Sequence, residues 1–257
     1  MSASALALTG LAKTFGGLKA VDRVSFTVPV GGLIALIGPN GAGKTTLFNL
    51  ITNLIPPDDG AVHLHGEALS GLSPSAIARR GLLRTFQTAR VFPGLTALEN
   101  VMAGAHRLVR APALGQMLWL PAARREEAAI QARAEALLDL VGLSAFRDTA
   151  ATSLPIGAQK LVELGRALMA RPNLLLLDEP AAGLNDVETA ELGALLRAVR
   201  DSGVTIMVVE HNMSLVMDIA DQVVVLDLGV LIAQGRPAEI QADPRVIEAY
   251  LGVETAA

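Results

Sequence analysis

Cysteine is missing altogether from the 257 residues, which excludes a disulfide framework and any thiolate metal site. Aromatic side chains are scarce too, with one tryptophan, one tyrosine and six phenylalanines. No uninterrupted apolar run reaches the roughly eighteen residues that a membrane-crossing helix needs. The opening Met1-Ser2-Ala3-Ser4 has neither the basic start nor the apolar centre of a secretory leader. An excess of positive charge is absent as well. Lys and Arg number 21 against 25 Asp and Glu, a net charge of −4, and the isoelectric point is near 5.6. That balance argues against a general nucleic-acid binder. What the chain has in quantity is aliphatic: 51 % of it is hydrophobic, ample for a sizeable core.

The apolar residues fall into short runs that predict strands at Val24–Val28, Leu33–Ile37, Ala61–Leu64, Leu82–Phe86, Leu174–Leu177, Val204–Val209 and Val223–Leu226. Helical spacing follows Lys44 as far as Leu54, and recurs at Arg124–Val141, Ala158–Ala170 and Glu188–Arg200. Strand and helix alternate around Lys44 and again after Leu174, which predicts an α/β fold with a mostly parallel sheet covered by helices. Between Gln87 and Arg166 the strand signal stops, and helical segments are broken by Pro93, Pro112, Pro121 and Pro155. This predicts a helical subdomain inserted at about residues 88–166 of a single domain spanning 1–257. The uncharged stretch Ala111–Ala123, with Trp119, reads as the interior of that subdomain or, alternatively, as a docking surface for a partner's helix. The N-terminal strands and Ala61–Gly66 are expected to form a small antiparallel sheet.

Chemistry enters at Gly38-Pro39-Asn40-Gly41-Ala42-Gly43-Lys44-Thr45-Thr46, which fits the phosphate-loop pattern GxxxxGK[ST]. Its context also fits, because the buried-strand pattern Leu33–Ile37 precedes it and a helix follows. A strand feeding a glycine-rich turn into a helix start aims several backbone N–H groups at one point, where the helix dipole adds positive potential. Lys44 would reach the β- and γ-phosphates of a nucleotide, and the Thr45 hydroxyl would ligate Mg²⁺.

A second constellation stands at Leu174-Leu175-Leu176-Leu177-Asp178-Glu179-Pro180. A fully apolar run suits a central strand buried on both faces, and open α/β sheets bind ligands at the carboxyl ends of their strands. Asp178 would hold Mg²⁺ through its water shell. Glu179 would polarise the attacking water. His211 ends the strand Val204–Val209 in the same way, and so would contact the γ-phosphate and orient water. His63, His65 and His106 read as structural. Gln87, after the strand Leu82–Phe86, is within reach of Mg²⁺ or water.

These residues resemble the ATP-binding subunit of an ABC transporter over nearly the whole chain. The phosphate loop, the Q-loop glutamine Gln87, the signature segment Leu154–Ala158, the Walker B strand Leu174–Glu179, the D-loop Ala182-Gly183-Leu184-Asn185 and the switch histidine His211 follow in family order. The resemblance implies a P-loop NTPase core that binds ATP and Mg²⁺, with Phe15 stacking on adenine and Gly157 facing ATP bound to a second ATPase subunit. That second subunit is another copy or a paralogue. It further implies two integral membrane permease subunits, a substrate-binding protein acting indirectly, no nucleic-acid partner, and peripheral attachment at the cytoplasmic face of the cell membrane. Leu83-Arg84-Thr85-Phe86-Gln87, Glu210-His211-Asn212-Met213 and the segment from Asp243 to Gly252 look like the ATPases of branched-chain amino acid importers. Motors of lipopolysaccharide or lipid exporters share much of this pattern, and a soluble ABC ATPase acting on DNA or ribosomes or a P-loop kinase fits it less well. The family signature Leu-Ser-Gly-Gly-Gln is here Leu154-Pro155-Ile156-Gly157-Ala158, so proline stands where the family has a phosphate-binding serine. Proline suits a first helical position, and Gly157 retains its backbone N–H.

Overall fold

The computed structural model describes residues 4–85, 90–107, 109, 117 and 120–251. The chain divides into two compact units, Met1–Arg84 with Asn173–Ala257, and Thr85–Pro172.

The first unit is α/β. Its six-stranded sheet runs in the order β10-β9-β3-β8-β7-β6, from β3 (Leu33–Ile37), β6 (Leu82–Arg84), β7 (Leu174–Asp178), β8 (Thr205–Val209), β9 (Gln222–Asp227) and β10 (Val230–Gly235). All pairings are parallel except that of β10 with β9. Every residue of β3, β7 and β8 is buried, which is why these strands are apolar runs instead of alternating, the exceptions being Asp178 and Thr205 at strand ends. A four-stranded antiparallel sheet, ordered β2-β1-β4-β5, is built from β1 (Ser4–Phe15), β2 (Leu18–Pro29), β4 (Asp59–Leu64) and β5 (Glu67–Ala68). Helix α1 (Lys44–Ile51) contributes Leu47, Phe48 and Ile51 to a core shared with Leu6, Leu11 and Val24 of one sheet and Ile34, Leu36 and Met207 of the other. The short helix α2 (Pro74–Arg79), capped by the Ser73 hydroxyl, adds Ile77 to the same core and leads into β6.

Register decides where the functional groups emerge. Val209 at the end of β8 lies opposite Leu36 of β3 and opposite Asp178 of β7. The three central strands therefore end level with one another, and the segments beginning at Gly38, Glu179 and Glu210 leave the sheet side by side.

Backbone is packed against backbone around the glycine-rich loop. Gly38 has φ +151°, and a Cβ there would lie 2.0 Å from the Leu226 carbonyl oxygen. Gly43 has φ +98°, and its Cβ would lie 2.3 Å from the Ala20 carbonyl oxygen. Neither contact is with a flexible side chain, so the loop itself would have to move. Gly38→Ala is expected to cost stability by at least the ~1–3 kcal/mol typical of a strained backbone site and to weaken nucleotide binding. Thermal melting and a fluorescent-nucleotide titration measure the two effects.

The second unit contains α3 (Ala97–Ala103), α4 (Pro121–Leu140) and α5 (Ile156–Met169). Thr96 and Glu99 form a reciprocal capping box at the start of α3. Close approach of α3 to α5 depends on small residues, since a Cβ on Gly104 would meet the Arg166 carbonyl oxygen at 2.1 Å. The fully buried Asn100 donates to the carbonyls of Phe92, Leu95 and Thr96 and accepts from the Phe92 N–H, fixing the loop before α3. Trp119 and most of the uncharged stretch around it lie outside the described residues.

Several boundaries differ from the expected ones. Helix α5 begins at Ile156, two residues earlier than its apolar spacing indicates, with Pro155 as its N-cap and not its first helical residue. The ψ of 152° at Pro155 is extended, as suits a residue just outside the helix. Strand β6 stops at Arg84, not Phe86.

Candidate active site

A cavity of about 440 Å³ opens at the level strand ends, lined by the glycine-rich loop and α1 start from Asn40 to Thr46, by Phe15 and Leu228, and by Glu179 and His211. Helix α1 enters from Gly43 in the left-handed conformation, with no side chain capping its first N–H groups and no acid in its first turn. Its opening turn thus keeps donors for an anion. The loop is braced by the β9–β10 hairpin, where the Gly229 N–H donates to the Ala42 carbonyl at 3.1 Å. Tyr250, on the helix Pro244–Leu251, comes near the start of the loop. Burial raises the pKa of its hydroxyl, partly offset by hydrogen bonding to the Gly38 backbone.

Lys44 is 6 % exposed, and its ammonium donates to the carbonyls of Gly38 at 2.6 Å and Pro39 at 2.9 Å. Burial lowers its pKa from the ordinary value, while the nearby Glu179 and Asp178 carboxylates oppose that shift. The cation is thereby held in the loop's curve by two carbonyls, within the field of both acids.

Asp178 ends β7 almost fully buried. Its Oδ2 accepts from Arg84 Nη2 at 2.7 Å, and both side chains are only 7 % exposed. Arg84 Nη1 donates to Asn49 Oδ1 at 2.7 Å, and its guanidinium lies 5.4 Å from the centre of the Phe48 ring. Asp178 is thus fixed beneath the cavity by the Arg84 guanidinium.

Glu179 turns upward from Asp178. Its φ of 49° lies in the left-handed region, unusual for a residue with a side chain. Its N–H donates to the Val209 carbonyl at 2.9 Å, and its carbonyl accepts from the Ala182 N–H at 3.2 Å. This tight turn brings Glu179 Oε1 to 2.9 Å from His211 Nε2. A carboxylate and an imidazole in contact at a cavity wall, facing a loop of N–H donors, can position and deprotonate a water beside a bound phosphate.

Of the residues singled out from sequence, Phe15, the loop from Asn40 to Thr46, Glu179 and His211 line this one cavity. Gly38 and Pro39 hold Lys44, and Asp178 lies just below. Phe15 is 45 % exposed, and the Lys13 ammonium lies over its ring, 5.6 Å from the centre. Gly157 lies in the first turn of α5, in the other unit. Gln87 lies outside the described residues. Sequence reasoning assigns no role to Arg84, Glu210, Leu228 or Tyr250. For Arg84 and Glu210 a signal was available, since each is a charged residue directly abutting an apolar strand and so is committed to burial.

Known proteins resemble this chain over nearly its whole length. The family model described as ABC transporter matches residues 21–182, and that of the branched-chain amino acid ATP-binding cassette transporter matches residues 230–256. The chain is 43 % identical over 253 residues to the high-affinity branched-chain amino acid transport ATP-binding protein BraF of Pseudomonas aeruginosa, covering 98 % of this chain and 99 % of that protein. It is 40 % identical to LivG of Escherichia coli, which carries the same description, with the same coverage. Among solved structures, a nucleotide-free ATP-binding cassette from an ABC transporter superposes with a TM-score of 0.83 at 32 % identity, covering 97 % of this chain and 99 % of that one. A related cassette in its ADP conformation matches equally well.

Proposed function

The chain belongs to the ABC transporter family, and from that premise we propose that it is the ATP-hydrolysing subunit of an importer for branched-chain amino acids or related small polar solutes. The observation that carries the chemical part is the meeting of Lys44, Glu179 and His211 around one cavity at the ends of three level strands. The near full-length likeness to BraF and LivG supports the cargo class.

In this reading the N–H groups of residues 40–46 and the Lys44 ammonium hold the phosphates, and Phe15 stacks on the base. Lys44 exchanges its two carbonyl partners for phosphate oxygens. Glu179 takes the proton of the attacking water, and His211 keeps that carboxylate aimed at the γ-phosphate. The donor set fits magnesium: Thr45 offers a hydroxyl in the cavity and Asp178 a carboxylate beside it, the sparse protein ligation that Mg²⁺ accepts when phosphates and water complete its shell. Bound there, it would neutralise charge developing on the β- and γ-oxygens. Asp178, whose Oδ2 is engaged by Arg84, would help hold the metal through water. Gln87 is assigned to the same metal and water.

No helix among the described residues is long and apolar enough to cross a membrane. In this reading the chain works with integral membrane permease subunits, attached peripherally at their cytoplasmic side, with a binding protein delivering cargo. Gly157 and its helix start serve the nucleotide of a second ATPase subunit, through backbone N–H groups instead of the family's serine.

Lys44→Ala tests the phosphate assignment. A charge-assisted hydrogen bond contributes about 1.5–3 kcal/mol, so nucleotide affinity is expected to fall roughly 10- to 100-fold while the fold survives. Calorimetric titration with ATP measures this, and unchanged affinity would remove Lys44 from the site. The transport assignment is tested by co-expressing the chain with permeases of this importer class and measuring cargo-stimulated phosphate release in vesicles. Absence of any ATPase activity in such a complex would overturn it.

A further inference from the structure

Glu210 is 3 % exposed, and among the described residues no lysine or arginine pairs with it. Its charge is met by the backbone instead. Oε1 accepts the Ala181 N–H at 2.7 Å, while Oε2 accepts the His211 N–H at 3.1 Å and approaches the Asn212 N–H at 3.5 Å. A buried carboxylate without a cation is costly to desolvate unless hydrogen bonds compensate it, and an apolar residue would fill the same space without that cost. The two oxygens reach two different segments. One is the turn after β7, which carries Glu179. The other is the segment after β8, which carries His211.

We infer that Glu210 is a positioning residue for hydrolysis, clamping both segments with one carboxylate so that Glu179 and His211 stay in contact. The inference rests on the proposed roles of Glu179 and His211. Its physical basis is the strain in the turn. Glu179 sits at φ 49°, and such a conformation persists only where the surroundings over-determine it. Contacts that do so include the Glu179 N–H to Val209, the Ala182 N–H to Glu179, and the Ala181 N–H to Glu210. On the opposite segment, Asn212 caps the next helix through the Leu215 N–H at 3.1 Å, so His211 is held between that cap and Glu210. A carboxylate is required because both of its ends must accept. In Glu210→Gln one end becomes an NH₂ facing an N–H donor, and one of the two segments is pushed away.

The test compares Glu210→Gln and Glu210→Asp with Glu179→Gln, in the full chain assembled with its membrane partners. Glu210→Gln is expected to lower kcat about 10- to 100-fold, the scale of a displacement near 1 Å, with the Kd for ATP within about twofold of wild type. Glu210→Asp keeps both acceptor ends on a shorter stem and should recover part of the rate. A second readout uses the nucleotide-free chain and is independent of turnover: the imidazole ¹⁵N signals of His211. Glu179→Gln alters these through the direct contact, and Glu210→Gln should displace them in the same direction. Wild-type kcat in Glu210→Gln, loss of ATP binding in parallel with kcat, or unmoved His211 signals would each overturn the inference. Should Glu179→Gln itself turn over normally, the hydrolytic reading fails, and the His211 signals still decide whether Glu210 orients that ring. If Glu210→Gln does not fold, Glu210→Asp gives the same two readouts.

Discussion

Glu179→Gln is expected to bind ATP as tightly as the wild type and to hydrolyse it about 10²–10⁴ times more slowly, the usual contribution of a positioned general base. The substitution is close to isosteric. A glutamine oxygen can still meet His211 Nε2, which lies 2.9 Å from Glu179 Oε1, and glutamine has the same backbone requirements at φ 49° as glutamate. What disappears is an acceptor basic enough to take a proton from water. Phosphate binding is left alone because it belongs to Lys44 and the N–H groups of the loop. The variant should therefore trap the nucleotide-bound state, separating it from Lys44→Ala, which loses affinity instead. Phosphate release by the assembled transporter and ATP titration of the same sample measure the two quantities. Turnover within about tenfold of wild type would assign the proton to another group and leave Glu179 as a wall of the cavity.

Much of this architecture is legible because it is written locally. The phosphate loop announces itself through glycines that the backbone demands: at Gly38 and Gly43 a side chain would strike a carbonyl oxygen. Strand β3 is aliphatic end to end, and β7 and β8 are apolar apart from Asp178 and Thr205 at their ends, because both of their faces are buried. Legibility fails where distant partners decide. Strand β1 spans Ser4–Phe15, yet its pairing with β2 shifts register between Leu8 and Leu11 and again between Leu11 and Lys13, so no clean alternation marks its length. Strand β6 ends at Arg84, whose side chain is committed to Asp178, 94 residues onward. Glu210 is committed to Ala181, 29 residues back. Both charges can be marked as buried from their neighbours, but their partners cannot be named, because the pairing is made by strand order and not by spacing. The start of α5 departs from its expected place for a different reason. Proline's fixed φ serves the N-cap as well as the first helical turn, and its missing N–H is compatible with both.

Arg84→Met is expected to destabilise the fold by about 3–5 kcal/mol, the range for removing one partner of a buried ion pair. Desolvation sets the size of this loss. Asp178 and Arg84 are each only 7 % exposed, so water cannot replace the lost guanidinium. The single change strips Oδ2 of its donor and also leaves Asn49 Oδ1 without the Nη1 hydrogen bond. Methionine retains much of the packing against Phe48, so the loss reports mainly the charge. The Lys44 ammonium is close enough to interact with Asp178 and offsets part of the penalty, which favours the lower end of the range. The double variant Arg84→Met with Asp178→Asn removes both charges and should regain a large share of the stability, because the uncompensated anion and not the missing bond is the chief cost. Urea unfolding of wild type, both single variants and the double variant gives the coupling energy from the cycle. A loss below about 1 kcal/mol in the single variant, typical of a solvent-exposed pair, would mean that water reaches Asp178 and that Arg84 does not fix its orientation. A large loss with recovery in the double variant would establish that the carboxylate proposed to help hold magnesium is fixed in place by a cation built into the neighbouring strand.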